Sequence, residues 1–218
     1  MRNGETLTPE TRQRLLEAAG EVFAEHGFRA ATVRDICQRA NVNIAAVNYH
    51  FGDKERLYAE VLRYAHHCCL EKYPPDFGLQ RDASAEQRLH AFVRSFLLRI
   101  FDEGRLAWYG QLMSHEMIEP TAALDALVET EIRPGAEQLQ SIVRVLLGRR
   151  VNAEQVRLCA MSIVSQCLHY HHARPVITRL FPQQRYELKD IERLADHITH
   201  FSLAALTRLA EERKGRTS

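Results

Sequence analysis

Few residues in this sequence break helices, since its 218 residues include only 10 glycines and 7 prolines. Strand-like alternation of useful length is also absent, and apolar residues recur at helical intervals along most of the chain. No apolar run approaches the roughly 20 residues of a membrane span. These absences argue against β-rich and membrane-spanning folds, and they predict an all-α protein.

Neither sign of charge is in excess, because 29 Lys and Arg stand against 28 Asp and Glu. The balance excludes a polybasic tail, an acidic solvating protein and a disordered chain. The five cysteines are odd in number and lack the spacing of a disulfide framework. We therefore expect reduced thiols in a cytoplasmic protein. The first ten residues hold no apolar segment, so no signal peptide is expected.

Capping and stop signals divide the chain into helices. Thr8 followed by Pro9 predicts the start of the first helix, and Gly27 predicts its end. Residues 84–87 and 152–155 have the spacing of capping boxes that open longer helices. Together these signals predict three short helices followed by about six longer ones.

Residues 32–50 have the spacing of a helix-turn-helix, with Thr32 capping one short helix and Asn43 the next. In the second helix Val47 and Phe51 can face inward, and small, neutral side chains occupy the other faces. Such a helix can enter a DNA major groove, where Ile and Ala contact thymine methyl groups and Asn pairs with adenine.

The segment AAGEVFAEHGFRAATVRDICQRANVNIAAVNYHFGDKERLYAEVL, residues 18–62, resembles the DNA-binding domain of TetR-family transcriptional regulators. The matching positions are Phe23, Gly27, Thr32, Ile36, Ala40, Val42, Tyr49, His50, Phe51, Lys54, Leu57 and Leu62. The resemblance implies that residues 43–50 are the recognition helix and that Thr32, Tyr49 and Lys54 contact phosphates. Asn43 stands where the family commonly has Ser, and Asn48 stands where it usually has Tyr. The operator sequence of a known family member therefore does not predict the operator of this protein.

The same resemblance implies that the remaining chain is a helical domain that dimerises and often binds a small ligand. Residues 116–121 and 157–167 further resemble the CecR-like branch, which implies control of drug-efflux genes. His115 departs from the Arg expected beside Glu116.

We therefore predict a DNA-binding domain at residues 1–55 and a ligand-binding and dimerisation bundle at residues 56–218. The predicted DNA-contacting residues are Arg29, Thr32, Arg34, Asn43, Ile44, Ala45, Ala46, Asn48, Tyr49, His50 and Lys54. The predicted ligand-pocket residues are Phe92, Phe96, Trp108, Tyr109, Met113, Met117 and Met161. Two late helices carry apolar residues on more than one face, and their predicted dimer-interface residues are Ile163, Cys167, Tyr170, Ile198, Phe201 and Ala205.

The charge of the first 60 residues does not indicate DNA binding, because they hold eight Lys and Arg and nine Asp and Glu. These residues lack the excess of Lys and Arg that is typical of a nucleic-acid-binding domain. A positively charged surface therefore requires that basic and acidic side chains lie on different faces. Glu17, Glu21 and Glu25 recur every four residues, and we predict that they cluster away from DNA.

The sequence patterns for metal binding and for catalysis are weaker than the pattern for DNA binding. His169 and His172 lack a carboxylate or thiolate at a matching step, so no metal and no cofactor is predicted. The motifs of common hydrolases, phosphate-binding loops and CxxC sites are absent, and an enzyme is not expected. A helical scaffold for partner proteins is the alternative. The favoured hypothesis is a homodimeric repressor that binds a palindromic operator and responds to a small molecule.

Overall fold

All regular secondary structure in the part of the chain that the structure describes is helical, which confirms the predicted fold class. The computed structural model describes residues 8–148 and 150–216. Its α-helices are α1 (Pro9–Ala30), α2 (Val33–Ala40), α3 (Ile44–Phe51), α4 (Lys54–Lys72), α5 (Ala85–Ile100), α6 (Trp108–Ile118), α7 (Ala122–Leu127), α8 (Arg133–Leu147), α9 (Ala153–His172), α10 (Arg174–Leu180) and α11 (Leu188–Arg216). A π-helical segment, Val128–Ile132, joins α7 to α8. Among these described helices, none combines the length and the hydropathy that crossing a membrane requires.

Side-chain caps begin the helices where the sequence predicts them. Thr8 accepts a hydrogen bond from the N–H three residues later and begins α1, and Asn152 begins α9 in the same way. Ser84 forms a full capping box at the start of α5. Each cap satisfies an N–H that has no partner within its helix. The predicted end of α1 at Gly27 is instead a kink, because Gly27 adopts a φ of 73° and helix follows to Ala30.

The helices form two units, each with its own apolar core. The first unit contains the chain up to Cys69 together with Glu103–Arg133. The second contains Leu70–Asp102 and the chain from Pro134 onward. The predicted boundary at residue 55 separates a DNA-binding domain from a ligand-binding and dimerisation domain, and it does not coincide with the border between the two packed units. The functional boundary stays a prediction.

The core of the first unit is organised by α1, on which α6 packs closely. A Cβ added to Gly20 would lie 2.4 Å from ring atoms of Trp108, so the indole occupies the space that a side chain would need. Gly27 lies seven residues after Gly20, and His115 lies seven residues after Trp108. The Nδ1 atom of His115 is 4.0 Å from the Cβ position of Gly27. The equal offsets show that α6 runs along α1 in the same direction.

The core of the second unit lies among α5, α8, α9 and α11. The predicted apolar stripe of α5 is buried there, including Leu89 and Val93. The Arg94 guanidinium joins α5 to α11 through the carboxylate of Glu192, at distances of 2.6–2.8 Å.

Candidate DNA-binding surface

The turn between α2 and α3 depends on a left-handed residue. Asn41 adopts a φ of 54° and a ψ of 50°, and its N–H donates to the carbonyl oxygens of Cys37 and Gln38. The N–H of Val42 then donates to the Cys37 carbonyl oxygen at 3.0 Å. Asparagine tolerates this conformation better than most residues because its short polar side chain bonds locally. The predicted helix-turn-helix is present.

The recognition helix α3 is capped at one end and anchored by its inward face. The side chain of Asn43 accepts a hydrogen bond from the Ala45 N–H at 2.8 Å. Val47 and Phe51 are buried, as predicted. The Arg12 guanidinium of α1 lies 5.5 Å from the centroid of the Phe51 ring and covers the end of α3. These contacts leave the other faces of α3 exposed.

The outward face of α3 is neutral. Its exposed side chains are Ile44, Ala45, Asn48 and Tyr49. Tyr49 is 71% exposed, and its ring meets the half-buried His50 edge-on at a centroid distance of 5.0 Å. Alkyl, amide and phenol groups in this arrangement can contact base edges. The side chain of Ala46, also a predicted contact, lies outside the described part.

Lys54 takes up a position that the sequence did not predict. Its ammonium donates to the carbonyl oxygens of Phe28 at 3.0 Å, Ala31 at 3.2 Å and Arg29 at 3.4 Å. These acceptors lie at the end of α1, where carbonyl groups lack partners within the helix. An ammonium has three N–H donors, so this set matches its capacity. We therefore interpret Lys54 as a cap that joins α1 to α4, and its phosphate contact stays a prediction.

Two exposed guanidinium groups lie on α1 and α2, the helices that precede α3. Arg29 in the last turn of α1 has an 84% exposed side chain and lies 3.5 Å from a carboxylate oxygen of Glu119. Arg34 in the first turn of α2 is exposed and makes no ion pair with the described residues. The Thr32 hydroxyl, by contrast, is committed to capping α2, because it donates to the Asp35 carboxylate at 2.6 Å and accepts the Asp35 N–H.

Three acidic residues of α1, Glu17, Glu21 and Glu25, lie close to arginines of other segments. Both carboxylate oxygens of Glu25 accept hydrogen bonds from Arg39 at 2.7 Å, and Glu21 lies 3.7 Å from the same guanidinium. The hydrogen bond from Arg39 lowers the pKa of Glu25. Glu17 lies 3.3 Å from Arg105. Pairing therefore offsets the acidic stripe that the sequence shows.

A buried carboxylate lies behind the helix-turn-helix. Glu116 of α6 is 1% exposed and accepts a hydrogen bond from the Tyr58 hydroxyl of α4 at 2.8 Å. Burial, and then this hydrogen bond, raises the pKa of Tyr58. The Tyr58 ring packs edge-on against Phe23 at a centroid distance of 4.8 Å. Sequence reasoning assigned Glu116 no contact, since its partner Tyr58 lies 58 residues away along the chain.

Two family models match the chain. Residues 15–61 match the model of the bacterial regulatory proteins of the tetR family. Residues 85–206, more than half of the chain, match the C-terminal domain of the HTH-type transcriptional dual regulator CecR. The chain belongs to the TetR family. It is therefore a DNA-binding transcriptional regulator and not an enzyme.

Relatives of this TetR-family chain match along most of their lengths. The HTH-type transcriptional dual regulator CecR of Shigella flexneri is 26% identical over 176 residues, which are 77% of this chain and 78% of CecR. The HTH-type transcriptional activator FasR of Mycolicibacterium smegmatis is 31% identical over 169 residues, 77% of this chain and 75% of FasR. The crystal structure of a tetR-family protein from Rhodococcus RHA1 has the same fold, with a TM-score of 0.63, 22% identity and coverage of 93% of this chain and 98% of that one.

The residues predicted to form a TetR-type ligand pocket are distributed over both cores. The second core contains Phe92 and Phe96, and the first contains Trp108, Tyr109 and Met113. Met117 and Met161 are 57% and 55% exposed, so the structure removes these two from the predicted pocket. The other five residues stay a prediction.

The predicted dimer-interface residues divide between the core and the surface. Ile163, Cys167 and Ile198 are buried within the second core, which corrects their assignment to an outer face. Phe201 and Ala205 are exposed, as an interface requires, and Tyr170 is partly buried. The prediction failed for the first three because two faces of these helices are apolar, and periodicity does not show which face turns inward.

The outward face of α9 and α11 carries other exposed apolar side chains. Leu158 and Met161 of α9 are about half exposed, at 48% and 55%. Beside them, an open cavity of about 330 Å³ lies between the two helices. It is lined by Ser165, Gln166, His169, Tyr170, His197 and Ile198.

The histidines and cysteines are the sequence's candidates for metal binding and for reactive thiols. Within the described residues, no group of three or more His, Cys, Asp and Glu side chains is placed to hold a metal ion. Burial raises the pKa of the Cys167 thiol to about 12, so this thiol stays protonated and unreactive at neutral pH.

Proposed function

We propose that this TetR-family regulator is a homodimeric, ligand-responsive repressor that binds a palindromic operator in the cytoplasm. The observation that carries the proposal is the neutral, exposed outer face of α3, held in place by Val47 and Phe51. Two such helices in a symmetric dimer read successive major grooves about 34–36 Å apart. Bound there, the dimer blocks transcription of the genes next to the operator.

The experiment begins with genome-wide footprinting, which supplies the bound palindromes and their genes. Control of efflux genes, which the sequence resemblance implies, is tested by the same data. Ala45→Glu places an acidic side chain against the duplex and should abolish binding, because Ala45 is exposed on α3. Ala136→Glu, at an exposed alanine of α8, is the matched control and should bind normally. Normal binding by Ala45→Glu would contradict the assignment of α3.

Specificity is tested at Asn48. Asn48→Ala should weaken binding by about 1–3 kcal/mol and relax preference at one base pair in each half-site. The salt dependence should hardly change, because Asn48 brings no charge to a phosphate. Weaker binding with an unchanged base preference would show that Asn48 contacts the DNA backbone instead.

The second copy in the proposed dimer packs on the outward face of α9 and α11. Phe201 is 63% exposed and lies one turn beyond His197, which lines the cavity on that face. In a two-fold dimer the same patch meets itself, so a protruding ring beside a cavity is self-complementary. An exposed aromatic side chain also gains more free energy from burial than most other groups.

The dimer is tested by charge at the surface. Phe201→Glu combined with Met161→Glu should give folded monomers that bind operator poorly, with the mass measured by light scattering. Val145→Glu, at a 67% exposed valine of α8, is the matched control and should remain dimeric. A fully dimeric double variant would place the interface elsewhere.

The ligand response is tested through the single tryptophan. An effector that weakens operator binding must itself bind more weakly when operator is present, by the same factor. Trp108 fluorescence measures effector binding with and without operator DNA. Equal affinities in the two titrations would contradict the coupling, and reporter activity that rises with the regulator would contradict repression.

A further inference from the structure

The corner between α6 and α7, residues 116–121, carries one buried and one exposed carboxylate. The buried one, Glu116, accepts hydrogen bonds from the Tyr58 hydroxyl at 2.8 Å and from the N–H and hydroxyl of Thr121 at 2.9 and 3.0 Å. Glu116 bonds both to Tyr58 of α4 and to Thr121, the residue that caps α7, so the corner is fixed to α4. The exposed carboxylate, Glu119, belongs to this fixed corner.

Glu119 lies against Arg29, an arginine in the last turn of α1 that the sequence predicts to contact DNA. Its side chain is 63% exposed, and one carboxylate oxygen lies 3.5 Å from Nε of Arg29. The Arg29 backbone carbonyl in turn accepts a hydrogen bond from Lys54, the first residue of α4. Only Gly52 and Asp53 separate Lys54 from the end of α3. The Arg29 backbone is therefore linked to the first residue of α4, three positions after α3 ends, while the Arg29 side chain is 84% exposed.

Glu119 is not needed to build the corner. Its backbone N–H closes α6 by donating to the His115 carbonyl oxygen at 2.8 Å, a bond that any other side chain would preserve. An ion pair between side chains as exposed as these adds little to stability. The side chain nevertheless places a negative charge beside the guanidinium of Arg29, a predicted DNA contact.

We propose that Glu119 limits operator affinity by competing with a DNA phosphate for the Arg29 guanidinium. The inference rests on the proposed DNA-binding surface and adds to it a residue that weakens binding. Arg29 meets a phosphate fully only after it leaves Glu119, and the carboxylate that remains nearby repels the duplex. Operator affinity thereby depends on the position of the α6–α7 corner.

The test measures operator dissociation constants at several salt concentrations for the full-length protein. Glu119→Gln keeps the size of the side chain and removes the charge, and it should tighten binding about two- to fivefold at low salt. The magnitude of the log–log salt slope should also rise, by up to about 0.9 per subunit. Asp125→Asn removes the same charge from an exposed position of α7 and is the matched control. It should change the affinity less than Glu119→Gln does.

Arg29→Ala decides whether the effect acts through Arg29. In an Arg29→Ala background, Glu119→Gln should no longer tighten binding. If Glu119→Gln tightens operator binding equally with and without Arg29, the effect is a general charge effect and the inference is overturned. It is also overturned if Glu119→Gln leaves the operator affinity unchanged when Arg29 is present. A wild-type protein that binds no genomic palindrome would instead overturn the proposed function itself.

Discussion

Replacing Gly20 by alanine tests the packing of α6 on α1. In an open helix this change stabilises by about 0.5–1 kcal/mol, because alanine loses less backbone entropy than glycine. At Gly20 the new Cβ would lie 2.4–2.5 Å from three ring atoms of Trp108, about 1 Å closer than an ordinary contact. The indole is 9% exposed and belongs to the first core, so it cannot move freely. Overpacking of this kind costs about 1–3 kcal/mol or more.

We therefore expect Gly20→Ala to lower the free energy of unfolding by about 1–3 kcal/mol, since the steric conflict outweighs the gain in helix propensity. For a chain of this size each kcal/mol corresponds to about 2–4 °C in Tm. Gly135→Ala is the matched control, because a Cβ at Gly135 in α8 would meet no atom within 4 Å. That variant should be as stable as the wild type or more stable.

The assay is thermal and denaturant unfolding followed by circular dichroism and by Trp108 fluorescence, which reports on the first unit. In a Trp108→Leu background the penalty of Gly20→Ala should largely disappear, because the ring that blocks the Cβ is gone. A Gly20→Ala protein as stable as Gly135→Ala would refute the close approach of α6 to α1.

Three further predictions concern Lys54, Tyr58 and two buried isoleucines. Lys54→Met should lower the free energy of unfolding by about 1 kcal/mol and leave the salt slope of operator binding unchanged, whereas a slope smaller by about 0.9 per subunit would show the phosphate contact predicted from the sequence. Because burial and Glu116 raise the folded-state pKa of Tyr58, its stabilising contribution is complete below pH about 10 and is lost above it. Unfolding free energy should thus fall more steeply between pH 9 and 11 in the wild type than in Tyr58→Phe, and parallel curves would contradict the assignment. Ile163→Lys or Ile198→Lys should give unfolded protein by circular dichroism rather than folded monomers, since both side chains are buried.

Local signals in the sequence determined where five of the described helices begin. The caps at Thr8, Thr32, Asn43, Ser84 and Asn152 are all present, because a cap is a contact between residues two or three positions apart. The helix-turn-helix followed from the same short-range signals. Two of its inward residues, Val47 and Phe51, were predicted correctly as well, because they lie one helical turn apart on the same face.

Longer contacts were decided by the tertiary structure. Lys54 caps α1 across 23 to 26 residues of chain, and nothing around Lys54 in the sequence indicates which carbonyl groups it meets. The segment Glu103–Arg133 belongs to the first unit because Trp108 fits over a glycine of α1, a match between residues 88 positions apart.

The same reason explains the dimer-interface residues. Along α9, Ile163 and Met161 are both apolar and lie two positions apart, yet Ile163 is 2% exposed and Met161 is 55% exposed. Helical periodicity predicts that these side chains point to different faces, but it assigns neither face to the interior. The interior face is the one that α5 and α11 cover, and that depends on packing between helices far apart in the sequence.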